Sequence, residues 1–321
     1  MASLSETPIV IIAGPTASGK SALALPVAEQ FGGTVINADS QQVYRDLAVL
    51  SARPGAAALA RAPHRLYGAI DAAESCSAGQ WRGLALEAIA EARQARRLPI
   101  LVGGTGLYLE ALLTGLAELP PIPSAARAEA QALHEKLGAK GFHAALASLD
   151  PETAERLPPT DKQRVTRAYE VVRATGVPLS EWRRRQAPVG GLRAAAIVLL
   201  PPREALYRAC DERVLAMIEA GAAAEVAALI GRRLAPSLPA MKAVGVRELA
   251  AFLGGQVSHA QAVAAMQQAT RNYAKRQYTW FRRRLPESNS LQKHVAETQF
   301  SESLLPEIFS FIRAFLLTHP L

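Results

Sequence analysis

Cysteine is scarce in this chain. Cys76 and Cys210 are the only two among 321 residues, in no spacing that suits a metal site or a redox pair. A disulfide framework and a thiolate cluster are thereby excluded, and a cytoplasmic protein is expected. The six histidines stand singly, so they offer no metal-ligand group either. Long apolar runs are missing as well. Pro8 to Ala13 is too short for the core of an export signal, and nothing approaches the roughly 20 residues of a spanning helix. Leu304 to Leu317 comes nearest, but Pro306, Glu307 and Arg313 interrupt it, and it reads as an amphipathic helix docked on the body. No membrane partner is expected. Acid falls short of base, 28 Asp and Glu against 36 Lys and Arg, a net charge of +8 that points toward a polyanion.

The excess base is concentrated. Arg271, Lys275, Arg276, Arg282, Arg283 and Arg284 share a stretch without an acid, and a second excess runs from Lys162 to Arg193. On a helix Arg271, Lys275, Tyr278 and Arg282 fall in a stripe only ~60° wide, with Tyr273 and Trp280 on another, inward side. A narrow basic stripe holding an aromatic suits a phosphate backbone.

Apolar runs at Ile9 to Ala13, Thr34 to Ala38, Leu98 to Val102 and Ala195 to Leu200 alternate with helical patterns in the first three cases, which implies parallel βαβ units. From Pro120, Pro121 and Pro123 the texture changes to helical patterns without a strand, closed by Gly190-Gly191. The expected fold class is α/β, a P-loop NTPase-like parallel sheet flanked by helices, with a helical insertion domain. Residues 1–120 and 191–321 form the core with C-terminal helices, and 121–190 the insertion. Beyond Glu204 the chain reads as mostly helical, and the tail after residue 285 carries no legible motif.

Chemistry begins at Gly14, Pro15, Thr16, Ala17, Ser18, Gly19, Lys20 and Ser21, which match the P-loop pattern between a strand and a helix. Glycines let backbone N–H groups wrap an anion at a helix N-terminus, Lys20 reaches the outer phosphate oxygens, and Ser21 is placed to ligate Mg²⁺. An NTPase or kinase normally adds an acid at the end of a later strand. Here that strand ends in Gly103-Gly104-Thr105-Gly106, which argues against an ordinary ATPase. A carboxylate stands instead at Asp39, after the second strand, where it can cap a helix, hold Mg²⁺ through water, or accept a proton. Gln163, Arg164 and Arg167 share one side of a helix capped by Thr160 or Asp161, with Val165 opposite, a pattern that spacing alone assigns to a solvated face over a packed one.

Together these segments resemble the tRNA dimethylallyltransferase family. The resemblance rests on GPTASGKS from Gly14, ADSQQVYRDL from Ala38, APHRLYG from Ala62, LPILVGGTGLYLEALL from Leu98, DKQRVTRAYEV from Asp161, MKAVGVREL from Met241 and TRNYAKRQYTWFRR from Thr270. It implies transfer of a dimethylallyl group from dimethylallyl diphosphate to the exocyclic N6 amine of the adenosine 3′ of a tRNA anticodon, with Mg²⁺ as cofactor and pyrophosphate as the leaving product. Asp39, Thr105 and Lys20 then match the family's catalytic positions, and the loop from Gly14 to Ser21 with Arg213 its diphosphate site. Its tRNA-contacting positions match Asp39, Ser40, Gln41, Gln42, Thr105, Arg127, Gln163, Arg164, Val165, Thr166 and Arg167, with Lys242 to Arg247 a further strip. To these the basic stripe adds Arg271, Lys275 and Arg282. The insertion is implied to grip the anticodon stem-loop as a mobile lid. The chain looks like a monomeric, bacterial-type member without a zinc-finger extension. The competing readings are a prenyltransferase on free adenine nucleotides, a P-loop small-molecule kinase, and a non-catalytic RNA-binding module.

Overall fold

Apolar runs that alternate with helices build one parallel sheet. The computed structural model describes residues 7–117, 119–185, 192–285 and 291–319. Contacts divide the chain into two units, Met1–Leu113 with Gly190–Leu321, and Thr114–Val189. The boundary at Thr114 lies ahead of the proline hinge expected from the sequence.

In the first unit β1 (Thr7–Ala13), α1 (Lys20–Phe31), β2 (Gly33–Asn37), α2 (Ala56–Arg61), β3 (His64–Arg65), α3 (Ala78–Gln94), β4 (Leu98–Gly103) and α4 (Gly106–Thr114) follow in order. The second unit holds helices and no strand among its described residues: α5 (Ser124–Leu149), α6 (Pro151–Arg156), α7 (Lys162–Thr175) and α8 (Leu179–Arg184). The chain then returns as β5 (Leu192–Leu199), α9 (Arg203–Glu219), α10 (Ala222–Gly231), α11 (Val246–Leu253), α12 (His259–Arg284), β6 (Leu291–Ala296) and α13 (Leu305–Thr318). The expected closing pair Gly190-Gly191 lies outside the described residues.

The strands run in the order β3-β2-β4-β1-β5-β6, all in parallel register. The chain winds from β1 to one side first and then to the other, so its direction reverses at β1. Open parallel sheets take ligands in the crevice at the carboxyl ends beside such a strand. Both sheet faces are covered, which is why the inner strands read as unbroken apolar runs rather than alternating ones. Ile9, Ile11, Ile36 and Leu101 pack on one side with Trp81, Leu109, Val214 and Phe281. Val10, Ile12, Val35 and Ile100 pack on the other with Leu23, Val27, Ile308, Ile312 and Phe315. The tail therefore completes the fold. β6 extends the sheet beside β5, an element that a mostly helical reading after Glu204 does not anticipate, because an edge strand is half exposed and LQKHVA carries little apolar signal. α13 docks its apolar side on the sheet as expected.

In the helical unit Phe142, Leu146, Val165, Ala168 and Tyr169 form the core. Buried Asp150 ties it together by accepting the Thr153 N–H on one oxygen and the Ser180 N–H on the other, both at 3.1 Å. No single helix among the described residues is long and apolar enough to cross a membrane.

Candidate active site

Three loops meet at the carboxyl ends of β1, β2 and β4. The first leaves β1 at Gly14 and enters α1 at Lys20. Its bends need left-handed backbone at Ala17 (φ 61°) and Gly19 (φ 93°), and Gly19 caps α1 with no side-chain acceptor. Donors of the first helical turn are thus left for an anion. Two distant side chains hold the loop in shape. The Thr16 N–H donates to Gln277 Oε1 at 2.7 Å, and Gln299 Nε2 donates to the Ala17 carbonyl at 2.6 Å. Phe300 closes on Gly19 so tightly that a Cβ there would lie 2.6 Å from its own. Ser18 Oγ is buried without a partner, and Ser21 is exposed in the first turn of α1.

Cations converge on this loop. Lys20 is buried and donates to the Pro15 carbonyl at 2.6 Å. Burial pushes its ammonium down from 10.5 to about 7, against the attraction of Asp39 and with help from the Arg213 charge. Arg213, on α9, is likewise held below its ordinary value by burial, with Asp39 opposing. Its Nη2 donates to the Ser51 carbonyl at 3.2 Å, while its Nε is buried with no partner. A buried guanidinium with an unused donor beside a partly discharged lysine suits an anion. Ser21, exposed at the start of α1, carries a hydroxyl oxygen of the kind that suits a Mg²⁺ ion. Among the described residues no group of three His, Cys, Asp or Glu side chains could hold one unaided.

The second loop is the Asp39 turn. Asp39 Oδ1 accepts the Gln41 N–H at 2.9 Å, so the carboxylate shapes its own turn instead of capping a helix. Asn37 braces it from below through the Asp39 N–H and C=O. The third loop supplies Thr105, whose Oγ1 accepts the Ser40 N–H at 2.9 Å and donates to Ser40 Oγ at 3.1 Å. Gly103 explains why no acid ends β4. A Cβ there would stand 2.0 Å from the Ala38 carbonyl oxygen, so the approach of β2 and β4 admits only glycine.

Asp39, Arg213, Thr16, Gln41 and Tyr273 line one cavity. A second, lined by Ser40, Gln41, Cys76, Lys242 and Tyr273, shares two of those residues with it. Lys20, Asp39, Thr105 and Arg213 are thus gathered at one place by four different elements. Arg127, Gln163, Arg164, Thr166 and Arg167 lie in the helical unit, and Arg247 is exposed on α11.

At four expected contacts the side chain is engaged within the protein. Val165 is 1% exposed in the helical core, so its side chain faces no ligand. Gln42 is buried with its amide donating to the Ser51 and Ala52 carbonyls, which makes it a brace. Arg271 ion-pairs with Asp211 at 2.5 Å, because α9 supplies the acid that α12 itself lacks. Tyr278 packs on Leu206, Cys210 and Ala274 beneath the Arg203 guanidinium. Lys275 and Arg282 remain exposed.

Sequence reasoning gave two residues of this site no role in it, though it set Tyr273 on the inward side of its helix. Tyr273 lies beside the side chains of Gln41, Thr105 and Ser40, and burial raises its phenol well above the ordinary range. Gln277 bridges the first and third loops by donating to the Gly104 carbonyl at 2.9 Å. The available signal was a glutamine within the buried series Ala262, Met266, Thr270, Ala274 and Phe281.

Comparison with known proteins agrees with this geometry. The family described as IPP transferase matches residues 42–284, and that described as isopentenyl transferase matches residues 7–73. A tRNA dimethylallyltransferase of Rhodospirillum rubrum is 55% identical over 99% of this chain and 98% of its own. The crystal structure of a full-length tRNA isopentenylpyrophosphate transferase from Bacillus halodurans is 31% identical, covers 98% of both chains and superposes with a TM-score of 0.69. A eukaryotic dimethylallyltransferase acting on tRNA, 24% identical over 98% of this chain and 81% of its own, shares the fold with a TM-score of 0.81. The matched stretches enclose the anion loop, the Asp39 turn, Thr105, Arg213 and Gln277, and the chain belongs to the IPP transferase family.

Proposed function

We propose that this enzyme transfers a dimethylallyl group from dimethylallyl diphosphate to the exocyclic N6 amine of the adenosine 3′ of a tRNA anticodon, releasing pyrophosphate. One observation carries the reading. A P-loop whose Lys20 is buried beside Arg213 opens on the same cavity as Asp39, and the neighbouring strand ends in glycine rather than in the acid a kinase needs.

An adenine amine is a weak nucleophile because its lone pair is delocalised into the ring. Asp39 accepts an N6 proton as the nitrogen bonds to the first carbon of the dimethylallyl group. The carbon–oxygen bond breaks with its electron pair going to the diphosphate. Lys20, Arg213 and the N–H groups at the start of α1 stabilise that charge where it develops. Ser21 would hold a Mg²⁺ ion, which would supply further charge neutralisation at the leaving group. Thr105 holds the Ser40 backbone and aligns the acceptor turn.

A base stacked in its loop must be flipped to reach such a cavity. The helical unit, with Arg127, Gln163, Arg164 and Arg167 exposed, would take the anticodon stem-loop, and Lys242, Lys275 and Arg282 its backbone. On this reading the enzyme acts as a monomer in the cytoplasm.

Incubation with dimethylallyl diphosphate, Mg²⁺ and unmodified tRNA, followed by nucleoside mass analysis, tests the reading. Prenylated adenosine within tRNA is expected. Prenylation of free nucleotides alone, or phosphoryl transfer from ATP, would replace it.

A further inference from the structure

Gln277 is 6% exposed, and both ends of its amide are committed: Oε1 to the Thr16 N–H at 2.7 Å and Nε2 to the Gly104 carbonyl at 2.9 Å. The amide cannot be reversed, since that would set N–H against N–H and carbonyl against carbonyl. Gly104 leaves it the room, because a Cβ there would stand 2.3 Å from Nε2. The Thr16 contact with Gln277 is made by a backbone N–H at the edge of the loop and need not be given up when an anion arrives. One turn earlier on α12, Tyr273 lies beside Ser40, Gln41 and Thr105, and one turn later Trp280 packs against Gly106.

We propose that Gln277 is a positioning residue that sets the anion loop at a fixed distance from the turn carrying Thr105, and so aligns the leaving diphosphate with the acceptor held at Asp39. The inference rests on the functional reading above. A misplacement of about 1 Å in such an alignment costs on the order of 100-fold in rate.

Two variants of the full chain test it, Gln277→Met and Gln277→Glu. Methionine fills the space without either hydrogen bond, and the expected loss in kcat is about 10- to 100-fold with KM for tRNA little changed. Glutamate adds a switch. Its neutral acid offers a carbonyl and an O–H in place of the carbonyl and N–H of the amide, restoring both bonds. Ionised, it turns a second oxygen toward the Gly104 carbonyl. The rate of Gln277→Glu relative to the native enzyme should therefore rise roughly tenfold as pH falls from about 8 to about 5.5, as its buried carboxyl protonates. A packing role alone would leave that ratio level. A level ratio overturns the proposal, whatever the methionine variant does, including failure to fold. If the native enzyme transfers no dimethylallyl group, the functional reading fails instead. The same ratio is then measured as pyrophosphate affinity, where its rise toward acid still supports Gln277 and a level ratio still removes it.

Discussion

Lys20 Nζ donates to the Pro15 carbonyl of its own loop at 2.6 Å, so the lysine lies inside the cradle that its loop forms. Burial leaves its ammonium only half protonated near pH 7. A diphosphate restores the charge. Binding should take up roughly one proton near pH 8, and affinity should fall as pH rises past 7. Below 7 the lysine is charged in both states and adds no pH dependence. The same shift makes the ligand-free fold gain stability between pH 7 and 10.5, where the unfolded lysine binds the extra proton. Calorimetry with pyrophosphate in buffers of different ionisation enthalpy measures the uptake, and Lys20→Met should abolish it.

Asp39→Ala should lower turnover by about 10²- to 10⁴-fold, the usual range for a lost general base. Binding of tRNA should change little, because Asp39 shapes its turn through a single hydrogen bond to the Gln41 N–H. Single-turnover rates together with filter binding separate the two. A variant that turned over at the native rate would remove the proton acceptor from the mechanism.

Lys275 and Arg271 lie one helical turn apart and should behave differently. Exposed Lys275→Ala should weaken tRNA binding and make its log–log salt slope shallower by about 1. Arg271→Ala should leave the slope nearly unchanged and act on stability, since its guanidinium is neutralised by Asp211. Titrations across a range of salt concentrations decide between them.

Glu225, at the start of α10, accepts the backbone N–H groups of Ala48, Val49 and Leu50 at 2.7, 2.8 and 2.9 Å. Glu225→Ala should cost about 2 kcal/mol by leaving three donors without their carboxylate. The melting temperature should fall by roughly 3 °C. Pyrophosphate affinity should fall too, because that segment leads to Ser51, whose carbonyl holds Arg213. Undiminished affinity in the folded variant would uncouple the segment from the anion site.

Residues close together along the chain were legible before any coordinates. The glycine-rich loop, the apolar strands and the Asp161 cap of α7 depend on local spacing, and each is found where spacing placed it. The edge strand β6 was not, because a strand exposed on one side needs only an alternating pattern, and a six-residue stretch supplies too little of one. The basic stripe was half legible. Helical geometry put Arg271, Lys275 and Arg282 on one side, but only packing of α12 on α9 shows that Asp211 takes the first of them.

Local covalent order thus dictated which chemistry the chain can carry: an anion loop, a carboxylate after a strand, and a surplus of base. Folding decided which of those groups face one another. The bond from Thr16 to Gln277 spans 261 positions and that from Ala17 to Gln299 spans 282. Propensity and periodicity act over a few residues, whereas such pairs are chosen by how helices stack on the sheet. That is why Gln277 and Tyr273, one turn apart on a helix that reads as basic, became visible only once α12 was seen lying across the ends of the strands.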